Sequence, residues 1–336
     1  MSVRALYRAA RVSNEFLEAV APYDTLMLKV YYPAAPITSD AERNTGNLPA
    51  DAARAPFPVV IFFSAVNVGL EGYQWLAVKL AEALAGNGCV TVCFNWVNDQ
   101  LPGGQPGLSP GVNLEFMKPA TYGAGPTATA LPALLAELER MQATGPLAGL
   151  LDLQRVVLGG HSAGGSIALM NANRAWFPSV VAAFAYGAHT QASTMLGFAP
   201  DTVLPLAAEM PVLLLGGDRD GVIAASAGRY GKGSFAAPGD PVEPLRRTFD
   251  GAIQGGREDC YLMMLAGANH FSFIHPHDET TGRGFLDWAA PGDATATREL
   301  LGELVCQFIA AHVRGDDAAH AALREPREQL ALYLCK

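Results

Sequence analysis

The sequence contains few charged residues. Asp, Glu, Lys and Arg together make up 16% of its 336 residues, the formal net charge is −9, and Lys and Arg form no cluster. Proteins that bind nucleic acid gain much of their affinity by neutralising phosphates with basic side chains. The composition therefore argues against a nucleic acid as partner.

Long apolar runs are also lacking, although 50% of the residues are hydrophobic. The longest candidate, residues 57–70 (FPVVIFFSAVNVGL), contains Ser64 and Asn67 and is shorter than the roughly 20 residues that a membrane span requires. Between the basic residues up to Arg11 and the acidic ones from Glu15 there is no apolar segment of a signal peptide. We expect a cytoplasmic protein with no transmembrane segment, unless a leader has been trimmed.

Cysteine is scarce and unpatterned. The five cysteines are Cys89, Cys93, Cys260, Cys306 and Cys335. They include no C-x-x-C pair and no histidine partners at zinc spacing, and two of them lie in the apolar segment CVTVCF, where a thiol is usually a small core residue. We expect structural cysteines, no metal and no other cofactor.

Short apolar runs recur along the chain, most of them separated by longer amphipathic stretches. Continuous hydrophobicity of this kind is typical of strands that are buried on both faces of a sheet. The runs are residues 25–32, 57–63, 89–94, 155–160, 180–186, 211–217 and 261–267. The first, TLMLKVYY, alternates better than the others and is expected to be part of an antiparallel edge.

Helices are predicted between these runs, at 73–85, 127–142, 166–175 and 297–314. Alternating strands and helices predict an α/β fold with a mainly parallel central sheet and helices on both faces. We expect one domain over 1–336, with these parts: a core at about 25–314, lid-like Gly- and Pro-rich insertions at about 98–126, 187–210 and 224–258, and a C-terminal extension at about 316–336 with a short helix.

The segment GGHSAGG, residues 159–165, contains the pattern G-x-S-x-G around Ser162. A predicted strand precedes it, a predicted helix follows it, and Ala163 supplies an N–H next to the serine. These are the requirements of a nucleophile elbow, in which a strained turn holds a catalytic serine among small residues. The alternative is a glycine-rich turn that only packs.

A second match, GLSPG around Ser109, lacks this context. Pro110 follows the serine and has no N–H to donate to an oxyanion, and no strand or helix is predicted on either side. We interpret Ser109 as a loop residue.

A serine nucleophile needs a base, and the base needs a carboxylate that orients it. Asp218 and Asp220 follow the strand at 211–217, and His270 follows the strand at 261–267. The order Ser, Asp, His is the order expected for this architecture. We favour Asp220 over Asp218, which is close enough to the strand to cap its turn, and His270 over the histidines of IHPHD further along the loop.

The segments GGHSAGG, GGDRDG and GANHFSF, in this order, make the chain resemble the α/β-hydrolase superfamily from about residue 25 to 314. The stretch FPVVIFFSAVNVGLEGYQWLAVKLAEALAGNGCVTVCFN is similar to the dienelactone-hydrolase-like group, which includes chlorophyllases, platelet-activating-factor acetylhydrolases and some polyester hydrolases. The resemblance implies a catalytic triad of Ser162, Asp220 and His270.

Two departures from these relatives affect the expected site. Relatives commonly carry His-Gly after the strand that precedes the oxyanion loop, whereas this chain has Ser64-Ala65-Val66-Asn67. A backbone N–H does not depend on its side chain, so the oxyanion hole is expected from Ala163 with either Val66 or Asn67. Dienelactone hydrolases use a cysteine nucleophile, so the serine disfavours their lactone chemistry.

The function expected from these residues is a serine carboxylester hydrolase that works through an acyl-enzyme. Its expected partner is a hydrophobic small-molecule ester, and a chlorophyllase-like cleavage of a long-chain alcohol ester is the preferred specific hypothesis. An acyltransferase or perhydrolase with the same triad, and a non-catalytic binding protein of the same fold, are the alternatives.

Overall fold

The computed structural model describes residues 2–12, 23–45, 48–82, 88–98, 106–207, 209–230 and 238–336. Strands and helices alternate along most of these residues. The strands are β1 (Ser2–Arg11), β2 (Thr25–Ala34), β3 (Phe57–Phe63), β4 (Val90–Asn98), β5 (Gly107–Leu108), β6 (Leu151–His161), β7 (Val180–Tyr186), β8 (Val212–Gly217), β9 (Cys260–Leu265) and β10 (Leu330–Cys335). The α-helices are α1 (Asp40–Thr45), α2 (Gln74–Glu82), α3 (Ala130–Ala143), α4 (Ala163–Met170), α5 (Gly221–Ser226), α6 (Val242–Ala252), α7 (Ala294–Arg314) and α8 (Asp317–Arg324).

The strands form one mixed sheet in the order β1-β2-β4-β3-β6-β7-β8-β9-β10, and β5 pairs with β4 beside this path. The six strands from β4 to β9 along this order are parallel to one another. Antiparallel strands complete both sides, β1 and β2 on one and β10 on the other. The expected α/β architecture with a mainly parallel sheet is confirmed.

Both faces of the sheet are buried under helices. In β3, Val59 and Ile61 belong to one core cluster, whereas Val60 and Phe62 belong to the other. Helices α3, α4 and α6 contribute to the first cluster, and α2, α7 and α8 contribute to the second. Since successive side chains of a strand point to opposite faces, burial on both sides accounts for the unbroken apolar runs.

All seven predicted strands are present, but the edges differ from the prediction. β2 is antiparallel to β4, as expected for TLMLKVYY, and β1 pairs outside it over residues 2–11. At the opposite edge, residues 330–335 form β10 rather than the end of a polar extension. The sheet therefore extends beyond the predicted core of about 25–314.

The third predicted insertion, about 224–258, is not irregular, because it contains helix α6. The buried face of α6 includes Leu245 and Phe249, while Arg246 and Asp250 face solvent. Pro244 concealed this pattern in the sequence, yet it lies in the first turn, where a proline costs no helical hydrogen bond. Residues 231–237 of this insertion lie outside the described residues.

The other two predicted insertions are largely irregular and contact each other. Tyr122 and Phe198 meet edge to face at 6.5 Å between ring centroids, and the Tyr122 hydroxyl donates to the Pro205 carbonyl at 2.9 Å. Residues 99–105 of the first insertion and residue 208 of the second lie outside the described residues. Among the helices described, none has both the length and the apolarity to cross a bilayer.

Candidate functional site

The carboxyl ends of the parallel strands meet at one edge of the sheet, where α/β folds usually bind ligands. Val66 and Asn67 follow β3, and Ser162 follows β6. Asp220 follows β8, and His270 follows β9. Every residue proposed from the sequence, with Ala163 at the start of α4, therefore lies at this edge.

Ser162 occupies the sharp turn between β6 and α4. Its φ of 56° and ψ of −126° are unusual for a residue with a side chain. The Ser162 N–H donates to the Tyr186 carbonyl at 2.9 Å, and its carbonyl accepts the Ser166 N–H at 3.0 Å. These bonds hold a strained backbone of the kind that concentrates at functional sites.

The glycines around Ser162 are required by close backbone contacts. A Cβ on Gly160 would lie 2.4 Å from the Gly164 carbonyl oxygen, and a Cβ on Gly164 would lie 2.3 Å from the carbonyl oxygens of Phe63 and Ser64. The start of α4 thus passes against the ends of β3 and β6. The small residues of GGHSAGG allow this crossing.

We expect Gly160→Ala to lower the free energy of unfolding by roughly 3 kcal/mol, because backbone atoms that cannot rotate away would have to shift. Urea denaturation at neutral pH measures this change. Gly292→Ala is the matched control, since a Cβ on Gly292 would meet no atom within 4 Å and its φ is not positive. Equal stabilities of the two variants would contradict the steric explanation.

Asp220 and His270 form a buried pair. The His270 Nδ1 lies 2.8 Å from the Asp220 Oδ2, and the two residues are 2% and 1% exposed. The other oxygen of Asp220 accepts the Ile223 N–H at 2.8 Å and caps α5. Because Asp220 occupies Nδ1, the imidazole keeps Nε2 for another partner.

Asp218, the alternative acid, has a different partner. Its Oδ1 accepts the Gly267 N–H at 2.7 Å, which connects the turn after β8 to the turn after β9. His275 and His277, the alternative histidines, are exposed and lie beyond His270 in the loop. The structure thus pairs Asp220 with His270.

Tyr186 and Gly187, at the end of β7, connect the serine turn to this pair. The Tyr186 carbonyl binds the Ser162 N–H, and the Tyr186 hydroxyl donates to the Asn269 carbonyl at 2.6 Å. Gly187 has a φ of 56°, and a Cβ there would lie 3.0 Å from the His270 Nδ1. Glycine at this position leaves room for the imidazole above the strand.

His161 fills the space beneath the site. Its ring centroid lies 4.6 Å from that of His270, and its Nδ1 lies 3.0 Å from the Tyr73 hydroxyl, which also accepts the Ala65 N–H at 3.0 Å. Burial, reinforced by the charge of His270, lowers the pKa of His161 well below its ordinary value. His161 is therefore a neutral residue that packs against His270, and it connects Ser162 to the loop after β3.

The two candidates for the second oxyanion donor differ in their hydrogen bonding. The Asn67 N–H donates to the Leu108 carbonyl at 2.9 Å, and the Asn67 Oδ1 accepts the Leu108 N–H at 3.0 Å. The N–H groups of Val66 and Ala163 have no partner among the residues described. Val66 and Ala163 therefore have N–H groups available to a ligand, whereas that of Asn67 is occupied.

Ser109, in the second G-x-S-x-G match, is a buried loop residue. Its N–H donates to the Trp96 carbonyl at 2.8 Å, and its hydroxyl accepts the Gly111 N–H at 3.0 Å. These bonds stabilise the turn after β5.

Tyr186 and Asp287 contact the site but were not predicted from the sequence, and the Asp287 carboxylate accepts hydrogen bonds from the N–H groups of Gly221 and His270. Tyr186 ends a predicted strand at the same edge, so the strand pattern offered a signal for it. Asp287 follows a loop without any recognisable pattern, and its partners became visible only in the structure.

The cysteines are free thiols, and burial raises the pKa of Cys93 to about 12.

His189 is a second buried histidine near the site. Its ring meets that of Tyr230 edge to face at 4.6 Å, and its Nδ1 accepts the Gln191 N–H at 3.2 Å. Burial, with a smaller contribution from the charge of His270, lowers the pKa of His189 from 6.5 to about 4. His189 is therefore neutral at physiological pH.

This lowered pKa predicts a loss of stability in mild acid. Below pH 6.5 the unfolded chain binds a proton at His189, whereas the folded chain resists doing so until about pH 4. The contribution is fully present above pH 6.5 and is lost as the pH falls towards 4. Between pH 7 and pH 5, wild type should lose about 2 kcal/mol more free energy of unfolding than His189→Gln. Urea denaturation at both pH values measures this difference, and parallel losses would refute it.

Compared with known proteins, the sequence matches no family model, and no curated protein matches it.

Proposed function

We propose that this protein is a serine carboxylester hydrolase with an α/β-hydrolase fold. The observation that carries the proposal is the buried hydrogen bond between Asp220 and His270, next to a strained turn that holds Ser162. A nucleophile, a base and an orienting carboxylate, in this chain order and at the carboxyl ends of parallel strands, are the parts of a catalytic triad.

In the first half of the reaction, the Ser162 oxygen attacks the ester carbonyl carbon while the His270 Nε2 accepts the hydroxyl proton. Asp220 keeps the other imidazole proton on Nδ1 and stabilises the imidazolium. The tetrahedral intermediate then collapses, and His270 gives its proton to the departing alkoxide. The products are an alcohol and an ester of Ser162.

In the second half, His270 takes a proton from water, and the hydroxide adds to the acyl carbon. Collapse of the second tetrahedral intermediate releases the acid and returns the proton to Ser162. In both halves of the reaction the oxyanion accepts hydrogen bonds from the free N–H groups of Val66 and Ala163. Removing one such donor in serine hydrolases typically costs about 3 to 4 kcal/mol of transition-state stabilisation.

A hydrophobic ester suits the surface around this edge. Val66 is 40% exposed, and Met195 and Phe285 are 79% and 87% exposed. Met195 belongs to a short helical turn that packs against residues 227–230, and Phe285 belongs to another that packs against α5, directly after Asp220. A contiguous apolar patch beside a site favours apolar ligands, and these three side chains are the candidates for such a patch. A long-chain alcohol ester is the most specific substrate class that we propose.

A fluorophosphonate probe tests the proposal, because it reacts only with an activated serine. We expect stoichiometric labelling of the wild type, located on the Ser162 peptide by mass spectrometry, and none in His270→Gln. Products formed from p-nitrophenyl octanoate with added alcohol then separate hydrolysis from acyl transfer. A folded protein without label would exclude the hydrolase and favour a binding protein.

A further inference from the structure

Asp287 binds the backbones of the two loops that carry the acid and the base. Its Oδ1 accepts the Gly221 N–H at 2.9 Å and the His270 N–H at 3.2 Å. Its Oδ2 accepts the Phe271 N–H at 3.1 Å. Oδ1 also accepts the N–H of the following residue, Trp288, at 3.1 Å. One carboxylate thus joins the residue after Asp220 to His270 itself.

The segment around Asp287 lies directly against the turn after Asp220. A Cβ on Gly221 would lie 2.3 Å from the Leu286 carbonyl oxygen and 2.7 Å from the Trp288 nitrogen. On the other side, the side-chain amide of Asn269 donates to the Trp288 carbonyl at 2.7 Å. The loops after β8 and β9 therefore both pack on this segment.

Three of these hydrogen bonds go to Oδ1 and one goes to Oδ2, and backbone N–H donors of this kind stabilise the charged form of a carboxylate. Burial, followed by the charge of Asp220, raises the pKa of Asp287, whereas the N–H donors of Phe271 and His270 and the charge of the His270 side chain lower it. A second carboxylate close to Asp220 is unfavourable unless such donors compensate it.

We propose that Asp287 is a positioning residue that sets the distance and angle between Asp220 and His270. This role rests on the proposed function, since it supposes that the pair acts in catalysis. Asp287 acts through the backbones of Gly221, His270 and Phe271, and its effect appears in the chemical step. In Asp287→Asn the side-chain NH2 group would replace one carboxylate oxygen and would face a backbone N–H group instead of accepting a hydrogen bond from it. The side chain would also lose its negative charge.

Asp287→Asn tests the proposal. We expect kcat for p-nitrophenyl ester hydrolysis to fall by about 10²-fold with KM nearly unchanged, since misplacing a catalytic group by about 1 Å has effects of this size. Asp293→Asn is the matched control. Asp293 also accepts two backbone N–H groups, those of Thr295 and Ala296, but at the start of α7, so its kcat should equal that of the wild type.

Proton NMR supplies a readout that does not depend on turnover. The hydrogen bond to Asp220 should give the His270 Nδ1–H a downfield resonance, which is assigned by its absence in His270→Gln. We expect Asp287→Asn to weaken this resonance and speed its exchange with water, and Asp293→Asn to leave it unchanged. If the wild type hydrolyses no ester, the proposed function fails, but the resonance still tests the position of the imidazole.

Two results would overturn the proposal. One is a folded Asp287→Asn with the wild-type resonance and kcat, and the other is an equal loss of kcat in Asp293→Asn. Should Asp287→Asn not fold, Asp287→Glu takes its place, because its extra methylene displaces the carboxylate from the same N–H groups. A lower kcat and faster exchange in folded Asp287→Glu would support the role, and wild-type values would exclude it.

Discussion

Ser162→Ala should lower kcat for p-nitrophenyl ester hydrolysis by at least about 10⁴-fold while the protein remains folded. Removing the proposed nucleophile would prevent the acyl-enzyme from forming, and only oxyanion stabilisation and substrate binding would remain. The hydroxyl makes no capping hydrogen bond to α4, so its loss should leave stability nearly unchanged. The turn accommodates the methyl group of alanine as readily as the larger side chain of serine.

Initial rates on acetate, butyrate, octanoate and palmitate esters measure this effect and report the preferred acyl length. Ser109→Ala is the matched control, since it removes the serine of the other G-x-S-x-G segment. In Ser109→Ala the Gly111 N–H would lose its acceptor, which should lower the free energy of unfolding by about 1 kcal/mol. The kcat should not change. Wild-type rates in Ser162→Ala would contradict the mechanism. A loss of activity confined to Ser109→Ala would identify Ser109 as the nucleophile instead.

The interior of the sheet could be predicted from the sequence because its strands are buried on both faces. The run at 180–186 and strand β7 have identical limits. The edge strand β1 lacks this signal, since several of its side chains are accessible to water. β1 has a mixed burial pattern with exposed Tyr7. In β10 one residue is exposed and the other five are partly buried. β1 (SVRALYRAAR) therefore produces no continuous apolar run, whereas β10 (LALYLC) does, so the sequence carried a signal for β10 that the prediction missed.

The positions of Ser162, Asp220 and His270 could be proposed from the sequence because each follows a strand of the same parallel sheet, whose carboxyl ends share one edge. The bonds of Asp287 and Asn67 could not, because they join loops distant along the chain. Asn67 binds Leu108 across 41 residues, and Asp287 binds Gly221 across 66. Such contacts depend on how loops pack, which local patterns do not encode.

The second large effect on kcat is expected from Asp220, the acid that we favour over Asp218. Asp220→Asn should lower kcat by roughly 10³- to 10⁴-fold, because an amide at this position can favour the wrong imidazole tautomer and does not stabilise the imidazolium. Asp218→Asn should leave kcat near the wild-type value. Its Oδ1 still accepts the Gly267 N–H, so the substitution keeps that hydrogen bond and removes only the charge.

This pair is closely matched, since the two acids are two positions apart and undergo the same isosteric change. Both rates are normalised to the concentration of folded protein, measured by circular dichroism, so that a difference in folding does not enter kcat. A large loss in Asp218→Asn with normal rates in Asp220→Asn would transfer the orienting role to Asp218. Because Asp220 also caps α5 through Ile223, thermal denaturation of both variants is required, and a stable but slow Asp220→Asn would separate its role at His270 from its role at the helix.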